Sequence, residues 1–287
     1  MRLLGTFLAL AAGLVFAQAQ PANREALWKQ VAAAEKKGLP KTAAAKLQLI
    51  YDSALRDGRH AEAIKALAKR ITHEGAVQGN KPEEKITRLR AELEKTPDEA
   101  KPLLQTILGH WYWQYFRANR YRFLQRTATA QPLGDDFTTW DLPRLYREID
   151  LHFTNALADG RLKTIPTTDF GDLLTKPTLP EHYRPTLYDF IAHEALGFYS
   201  SGEFAEAKPE DAFEVRASDP LLGPLYKFLA WQPQTTDTES PQFKAVRLYQ
   251  DVLRFHLNDA DSSALIDADI LRLLHGKRIA TGDSAND

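Results

Sequence analysis

The sequence contains no cysteine, and this absence excludes several kinds of chemistry at once. Without a thiol the chain cannot form a disulfide, a thiolate metal site or a cysteine nucleophile. It also cannot carry the lipid anchor that some exported proteins attach to a cysteine at the cleavage site. An Asn-x-Ser/Thr acceptor for N-linked glycans is missing as well.

The usual catalytic signatures are also missing. The sequence has no P-loop, no Gly-x-Gly-x-x-Gly and no Gly-x-Ser-x-Gly, and GFYSSG at residues 197–202 fails the last pattern by its spacing. The 8 histidines are scattered without the spacing of metal ligands. We therefore expect a protein that is not an enzyme and that holds no catalytic residue, cofactor or metal.

Neither sign of charge dominates the chain. Its 37 basic and 38 acidic residues give a net charge of −1. Nucleic-acid-binding proteins carry a wider basic surplus, so we expect no nucleic-acid partner. Hydrophobic residues make up 44% and aromatic residues 10% of the chain, enough for a real core.

The first nineteen residues predict export. Arg2 supplies a positive start, an apolar run covers residues 3–16, and Ala17-Gln18-Ala19 is the pattern that signal peptidase cleaves. The run is too short for a membrane span and polar sequence follows it. We therefore expect cleavage after Ala19, no span in the mature protein, and a periplasmic or secreted location in a bacterium.

The stretch GHWYWQYFRANRYRFLQRT, residues 109–127, concentrates seven aromatics and four arginines without a single acid. After Gly109 it has no glycine or proline, so the pattern predicts one continuous helix. The aromatics cover more than one face, which is typical of a helix buried between several others. We expect this helix at the centre of the fold, with Trp111 and Tyr115 in the core.

Two interpretations compete for the arginines of this stretch. Arginines interleaved with aromatics could stack on single-stranded nucleic acid. Alternatively they lie on aromatic surface and pair with acids of neighbouring helices, such as Asp141, Glu148 or Asp189, and the balanced charge favours this second interpretation. The candidates for core or interaction roles are Trp111, Tyr112, Tyr115, Phe116, Arg117, Arg120, Arg122, Phe123, Trp140, Tyr188 and Phe190.

Helical hairpins are predicted elsewhere. Two helices, over residues 41–55 and 60–73, flank an Asp57-Gly58 turn. Small and aliphatic residues at helical spacing let the two pack closely. The segment YDSALRDGRHAEAIKALAKR resembles a tetratricopeptide-type hairpin, and ALGFYSSGEFAEA at residues 195–207 is a weaker copy.

The remaining chain also predicts helices, interrupted by proline-rich coil. No segment gives a run of strands, so the predicted fold class is all-α, with antiparallel hairpins in tetratricopeptide-like packing around the aromatic helix. We expect a helical module over residues 20–279, with a division into about 20–130 and 137–279 left open, and a disordered tail over 280–287. The other predicted helices cover residues 23–37, 82–94, 141–157, 186–199, 242–257 and 263–275.

Two short segments imitate known sites. His193-Glu194 opens like the helix of a zinc protease, but position 197 is glycine where the second histidine belongs. A hydrolase built on these two residues is therefore the least favoured interpretation. Residues 258–263 resemble a calcium loop, but the required glycine and closing glutamate are missing, and helix capping explains the segment better.

One family resemblance covers nearly the whole chain. The segment WYWQYFRANRYRFLQRT, followed by TTWDLPRLYREI, resembles the N-terminal helical region of large bacterial alpha-2-macroglobulin-like proteins. The segments WKQVAAAEKKGLPKTAAAKLQLIYDSAL, PTLYDFIAHEALGFY and LYQDVLRFHLNDADSSALIDADILRL fit the same pattern, in order, from Trp28 to Leu273.

This resemblance implies an exported protein of a protease-trapping superfamily, in which the helical region precedes β-sandwich macroglobulin domains. The family's Cys-Gly-Glu-Gln thioester is impossible here, because the chain has no cysteine. We therefore expect a non-enzymatic helical scaffold or protein-interaction module. Its partners would be macroglobulin domains of the same or an adjacent polypeptide, or another envelope protein. The alternative is a free-standing tetratricopeptide-like periplasmic protein that binds a peptide or protein.

Overall fold

The structure is a computed structural model that describes residues 23–79, 81–125, 134–171, 173, 179–203 and 211–282. These residues form eleven α-helices joined by turns and short 3-10 helices, and within them β-pairing is limited to two isolated bridges. The predicted all-α fold class is confirmed. The predicted signal peptide, Arg126 and residues 283–287 lie outside the described part.

The helices follow one another closely along the chain. In order they are α1 Arg24–Lys36, α2 Pro40–Arg56, α3 His60–Val77, α4 Pro82–Leu93, α5 Lys101–Ala118, α6 Arg120–Leu124, α7 Leu142–Leu157, α8 Leu187–Tyr199, α9 Leu225–Ala230, α10 Pro241–His256 and α11 Ser263–Ile279. The proline-rich region over residues 211–240 contains α9 and the 3-10 helix Pro220–Leu222.

Local hydrogen bonding sets most of these helix ends. Gly38 and Gly58 take φ angles of 65° and 66° just after α1 and α2, a conformation that glycine adopts without steric cost. Asp141 caps α7, where its Oδ1 accepts from the backbone N–H of Arg144 at 2.9 Å. Thr186 and Asp189 form a reciprocal capping box at the start of α8.

The aromatic stretch is not the single helix that its sequence predicts. α5 ends at Ala118, and α6 starts at Arg120, with the non-helical residue Asn119 between them. The side-chain amide of Asn119 donates to the carbonyl of Tyr115 at 2.9 Å, a local bond that competes with continuing the helix. The break lets Phe123 return to the core, with its ring centroid 5.9 Å from that of Phe116.

Helix α5 nevertheless lies at the centre of the structure, because it packs against α4, α7 and α8. The hairpin α2–α3 packs closely, with α1 against α2, and α10 lies against α8 and α11. At the crossing of α5 and α7, a Cβ on Gly109 would lie 3.2 Å from the Phe153 ring, so glycine allows the close approach. Tetratricopeptide-like packing of these helices stays a prediction.

An aromatic cluster fills the core beside α5. The ring of the fully buried Tyr112 lies edge-on to Phe137 at 5.1 Å and stacked with Trp140 at 6.2 Å and His152 at 5.5 Å between centroids. Edge-on and stacked contacts of this kind add stability beyond the burial of apolar area. The predicted central role of the aromatic segment is therefore met by Tyr112 and its neighbours.

The end of the chain is ordered further than its polar composition indicates. Thr281 donates its backbone N–H to the carbonyl of Val215 and accepts from the N–H of Ala217, both at 2.9 Å. Residues 280–282, which we expected to be disordered, are therefore held against the 215–217 segment.

Candidate functional site

The sequence-predicted candidates separate into three groups. Six are buried in the core: Tyr112, Tyr115, Phe116, Phe123, Trp140 and Tyr188. Arg117, Arg120 and Arg122 are exposed. Trp111 and Phe190 are half-buried, and both line one groove. The expectation that Trp111 lies in the core was therefore wrong.

The arginine pairing differs in detail from the prediction. Arg117 Nε lies 3.6 Å from Glu203 Oε1 and its guanidinium stands 5.7 Å from the centre of the Trp113 ring. The indole of Trp113 donates to the same carboxylate at 2.5 Å. Asp189, one of the acids expected to pair with an arginine, instead accepts hydrogen bonds from Thr186 and pairs with a histidine of α10.

The groove that contains Trp111 and Phe190, here called the apolar groove, has a cavity volume of about 760 Å³. It lies between α3, α5, α8 and the described residues 167–171, 173 and 179–184. Its volume falls within the range of sites that hold small molecules or short peptide segments.

Helical periodicity on α5 builds one wall of the apolar groove. Leu103, Ile107 and Trp111 follow one another at intervals of four residues, so they form a single ridge along one face of the helix. On α8, Phe190 and Glu194 have the same spacing and form the facing wall. The signal was present in the sequence, but nothing there showed that Ile107 and Trp111 would stay partly exposed while Leu103 is buried.

Backbone pairing holds the other edge of the groove. Thr167 donates its N–H to the carbonyl of Pro185 at 3.0 Å, and Leu187 donates to Ile165 at 2.8 Å. These bonds join the start of α8 to the segment before it. Leu179, 40% exposed, lines this edge of the groove together with Pro180, Glu181 and Arg184.

A few polar groups lie at the rim of the groove. Nδ1 of His110 is 3.4 Å from Oε2 of Glu194, and Nε2 of His110 is 2.7 Å from the amide nitrogen of Gln114. A mostly apolar floor with a small number of polar groups is the usual composition of a binding site.

The structure separates the two residues that imitate a zinc protease. Glu194 lines the groove, whereas the His193 ring donates through Nδ1 to the carbonyl of Asp189 at 2.7 Å within its own helix. Burial, and next the charge of Arg184, lowers the pKa of His193. Among the described residues no cluster of three or more histidines and acids could hold a metal ion.

A second apolar surface lies on α11. Ile266, Ile270, Leu273 and Leu274 are exposed and repeat at helical spacing, and together they are called the α11 stripe. The helix buries its opposite side against α10 and also packs against the 3-10 helix Glu181–Tyr183, where Glu181 lines the groove. The groove and the α11 stripe are therefore linked by one structural element.

Two long-range polar networks in the structure were not predicted from the sequence. One joins Tyr199, Asp150 and Lys244, and the other joins Asp189 to His256. A charged residue inside an apolar run, such as Asp189 between Tyr188 and Phe190, was the only signal for them.

Comparisons with known proteins give no match, since no family model, curated protein or solved structure is significantly similar to this chain. Within the described residues, no helix is both long and apolar enough to cross a membrane.

Proposed function

We propose that this chain is an exported, non-enzymatic helical module that binds a segment of another polypeptide in its apolar groove. The observation that carries the proposal is the half-buried pair Trp111 and Phe190, which line a groove of about 760 Å³ instead of completing the core. Large aromatic side chains that are partly exposed in a concave site are typical anchors of protein recognition.

The α11 stripe supports a polypeptide partner over a small molecule. Monomeric proteins rarely leave several large aliphatic side chains exposed on one helix face, and such surfaces commonly mark protein contacts. Because α11 also packs against an edge of the groove, one polypeptide could cover both surfaces. A small ligand in the groove would leave the stripe exposed.

The chemistry of the groove favours an extended segment with an apolar side chain. The Leu103–Ile107–Trp111 ridge and Phe190 supply apolar contact area. The carboxylate of Glu194, which lines the groove, can accept hydrogen bonds from the backbone N–H groups of such a segment.

The resemblance to alpha-2-macroglobulin-like proteins adds a partner to this proposal. In that case the bound segment belongs to a macroglobulin domain of the same or an adjacent polypeptide. The alternative is a free-standing tetratricopeptide-like protein that captures separate peptides. Sequencing the DNA that follows the codon for Asp287 distinguishes the two: β-sandwich domains encoded in frame or in the adjacent gene support the first.

Selection from a random peptide library on phage tests the groove directly. Recovered peptides are synthesised and their affinities measured by calorimetry on the wild type, Leu179→Glu and Leu257→Glu. Both leucines are exposed, by 40% and 47%, but only Leu179 lines the groove. We expect peptides rich in large apolar residues, and binding weakened about tenfold or more by Leu179→Glu, a loss of about 1.4 kcal/mol.

The control Leu257→Glu should bind like the wild type. If Leu179→Glu leaves the affinity of the peptides unchanged and Ile270→Glu weakens it, the peptides bind to the α11 stripe. That result would contradict binding in the apolar groove. A library that yields no apolar consensus, or peptides that bind all variants equally, would refute the proposed function.

A further inference from the structure

A second cavity, here called the polar cleft, lies on another part of the structure. It has a volume of about 610 Å³ and lies between the first half of α7, the end of α8, the start of α10 and the end of α11. Part of its wall is apolar, including Tyr146, Phe198, Phe213 and Ile279. The remainder is charged or polar.

Every acid in the wall of the polar cleft already has a donor. Asp150 accepts from the Tyr199 hydroxyl at 2.7 Å and from Lys244 Nζ at 2.8 Å. Lys244 also donates to Glu239 at 2.8 Å, and Asp237 accepts from the backbone N–H of Phe213 at 3.1 Å. The negative charge of each of these carboxylates is therefore already partly offset by a donor of the protein.

The polar cleft also contains a buried donor that has no acceptor among the described residues. His275 is 2% exposed, and its Nδ1 accepts from Nη2 of Arg278 at 3.2 Å, so the ring proton belongs on Nε2. That buried Nε2 has no hydrogen-bond partner among the described residues. A buried donor without a partner costs free energy, and most such groups in native proteins are satisfied by a bound molecule or a water.

Two guanidinium groups complete the donor set. Arg147 on α7 and Arg278 on α11 both line the cleft and are exposed. Within the described chain neither lies within ion-pair distance of a carboxylate. Guanidinium groups match the geometry of carboxylates and bind them through paired hydrogen bonds.

We propose that the polar cleft binds an organic carboxylate with an apolar body, with the carboxylate held by Arg147, Arg278 and the Nε2–H of His275. Among the described residues of the cleft wall the charges balance, since Lys244 and the two arginines lie in the same wall as Asp150, Asp237 and Glu239. These residues supply no excess positive charge for a polyanion such as a polyphosphate. A ligand with one carboxylate and an apolar body can accept hydrogen bonds from these donors and pack its apolar body against the aromatic wall.

Two sources share this chemistry: a free organic acid and the C-terminal carboxylate of a peptide. Calorimetry with hexanoate, phenylacetate and the tripeptide Ala-Ala-Phe distinguishes them, each compared with its uncharged amide. We expect at least one carboxylate to bind with a Kd below about 1 mM and its amide to bind at least about tenfold more weakly, as expected for loss of a charged hydrogen bond. Binding of Ala-Ala-Phe alone identifies the peptide terminus as the ligand, and binding of the free acids alone identifies the small molecule.

Arg147→Gln and Arg278→Gln should each weaken the carboxylate about tenfold or more, while the matched control Arg247→Gln on α10 should not. Both cleft arginines are exposed, so these variants are expected to fold. Nitrogen-15 spectra of labelled histidine provide a second readout, in which the carboxylate must shift the Nε2 resonance of His275. Carboxylates and amides of equal affinity, no binding up to about 1 mM, or insensitivity to both arginine variants would overturn the proposal. None of these results affects peptide binding in the apolar groove.

Discussion

Nε2 of His256 lies 2.7 Å from Oδ1 of Asp189, and the two side chains are 2% and 0% exposed. The other nitrogen of His256 lies 2.6 Å from Asp259, so both ring nitrogens face carboxylates. The second oxygen of Asp189 accepts from Thr186 as part of the capping box of α8. A single carboxylate therefore both starts α8 and ties it to the end of α10.

Because of this arrangement, we expect the free energy of unfolding to fall as the pH rises above about 6.5. Burial lowers the pKa of His256, but the hydrogen bonds and charges of Asp189 and Asp259 together raise it above the usual value. A raised pKa in the folded state means that the stabilisation is complete below about pH 6.5, the pKa of an unfolded histidine, and is lost as the pH rises through the folded value. Urea denaturation across this range should show the free energy of unfolding falling with rising pH.

His256→Asn should be less stable than the wild type at pH 6 by roughly 3–5 kcal/mol, because it leaves the buried Asp189 without its charged partner. In this variant the free energy of unfolding should also no longer fall as the pH rises above about 6.5. If the decline persists unchanged in His256→Asn, another group causes it.

Below about pH 6.5, we expect the free energy of unfolding to fall as the pH falls. Burial, and next the charge of Arg90, lowers the pKa of His152 to about 4, and its Nδ1 lies 2.5 Å from Oε1 of Gln105. Only the unfolded state binds a proton between about pH 6.5 and this value, so stability falls as the pH falls. His152→Gln should reduce that slope by about 1.4 kcal/mol per pH unit, and an unchanged slope in this variant would contradict the assignment to His152.

Neighbouring residues of α5 should behave differently when truncated. Tyr112→Ala removes a fully buried ring and should cost about 3–5 kcal/mol, because Phe137, Trp140 and His152 lose their contacts with it. Trp111→Ala should cost less than this, since the side chain is only partly buried. Melting temperatures measured side by side check the order, and the reverse order would place Trp111 in the core after all.

Arg117 should contribute little to stability, and the exposed arginines should not bind nucleic acid. Among the described residues Arg117 makes one ion pair, at 3.6 Å, and its side chain is 63% exposed, so Arg117→Ala should change the free energy of unfolding by less than about 1 kcal/mol. Fluorescence anisotropy with a single-stranded oligonucleotide should show no tight binding at physiological salt. Salt-sensitive binding that Arg117→Ala abolishes without destabilising the fold would restore the nucleic-acid interpretation.

Much of the helical framework is predictable from the sequence because its signals are local. The glycines after α1 and α2, the Asp141 cap and the Thr186 cap each act within four residues of the group that they bond. The dependence on local signals also explains why the helix predicted over the aromatic stretch was too long. Asn119 ends α5 with a side-chain bond to Tyr115, and an unbroken helix was an equally good local solution.

The tertiary structure alone decided which apolar residues stay uncovered and which polar groups meet. Trp111 and Tyr112 are adjacent in the same aromatic segment, yet Trp111 lines the apolar groove and Tyr112 is fully buried, with its ring stacked on His152 of α7. Asp189 and His256 lie 67 positions apart, and the polar cleft draws on four helices. Contacts at such separations depend on how the helices pack, and periodicity within one helix carries no information about that.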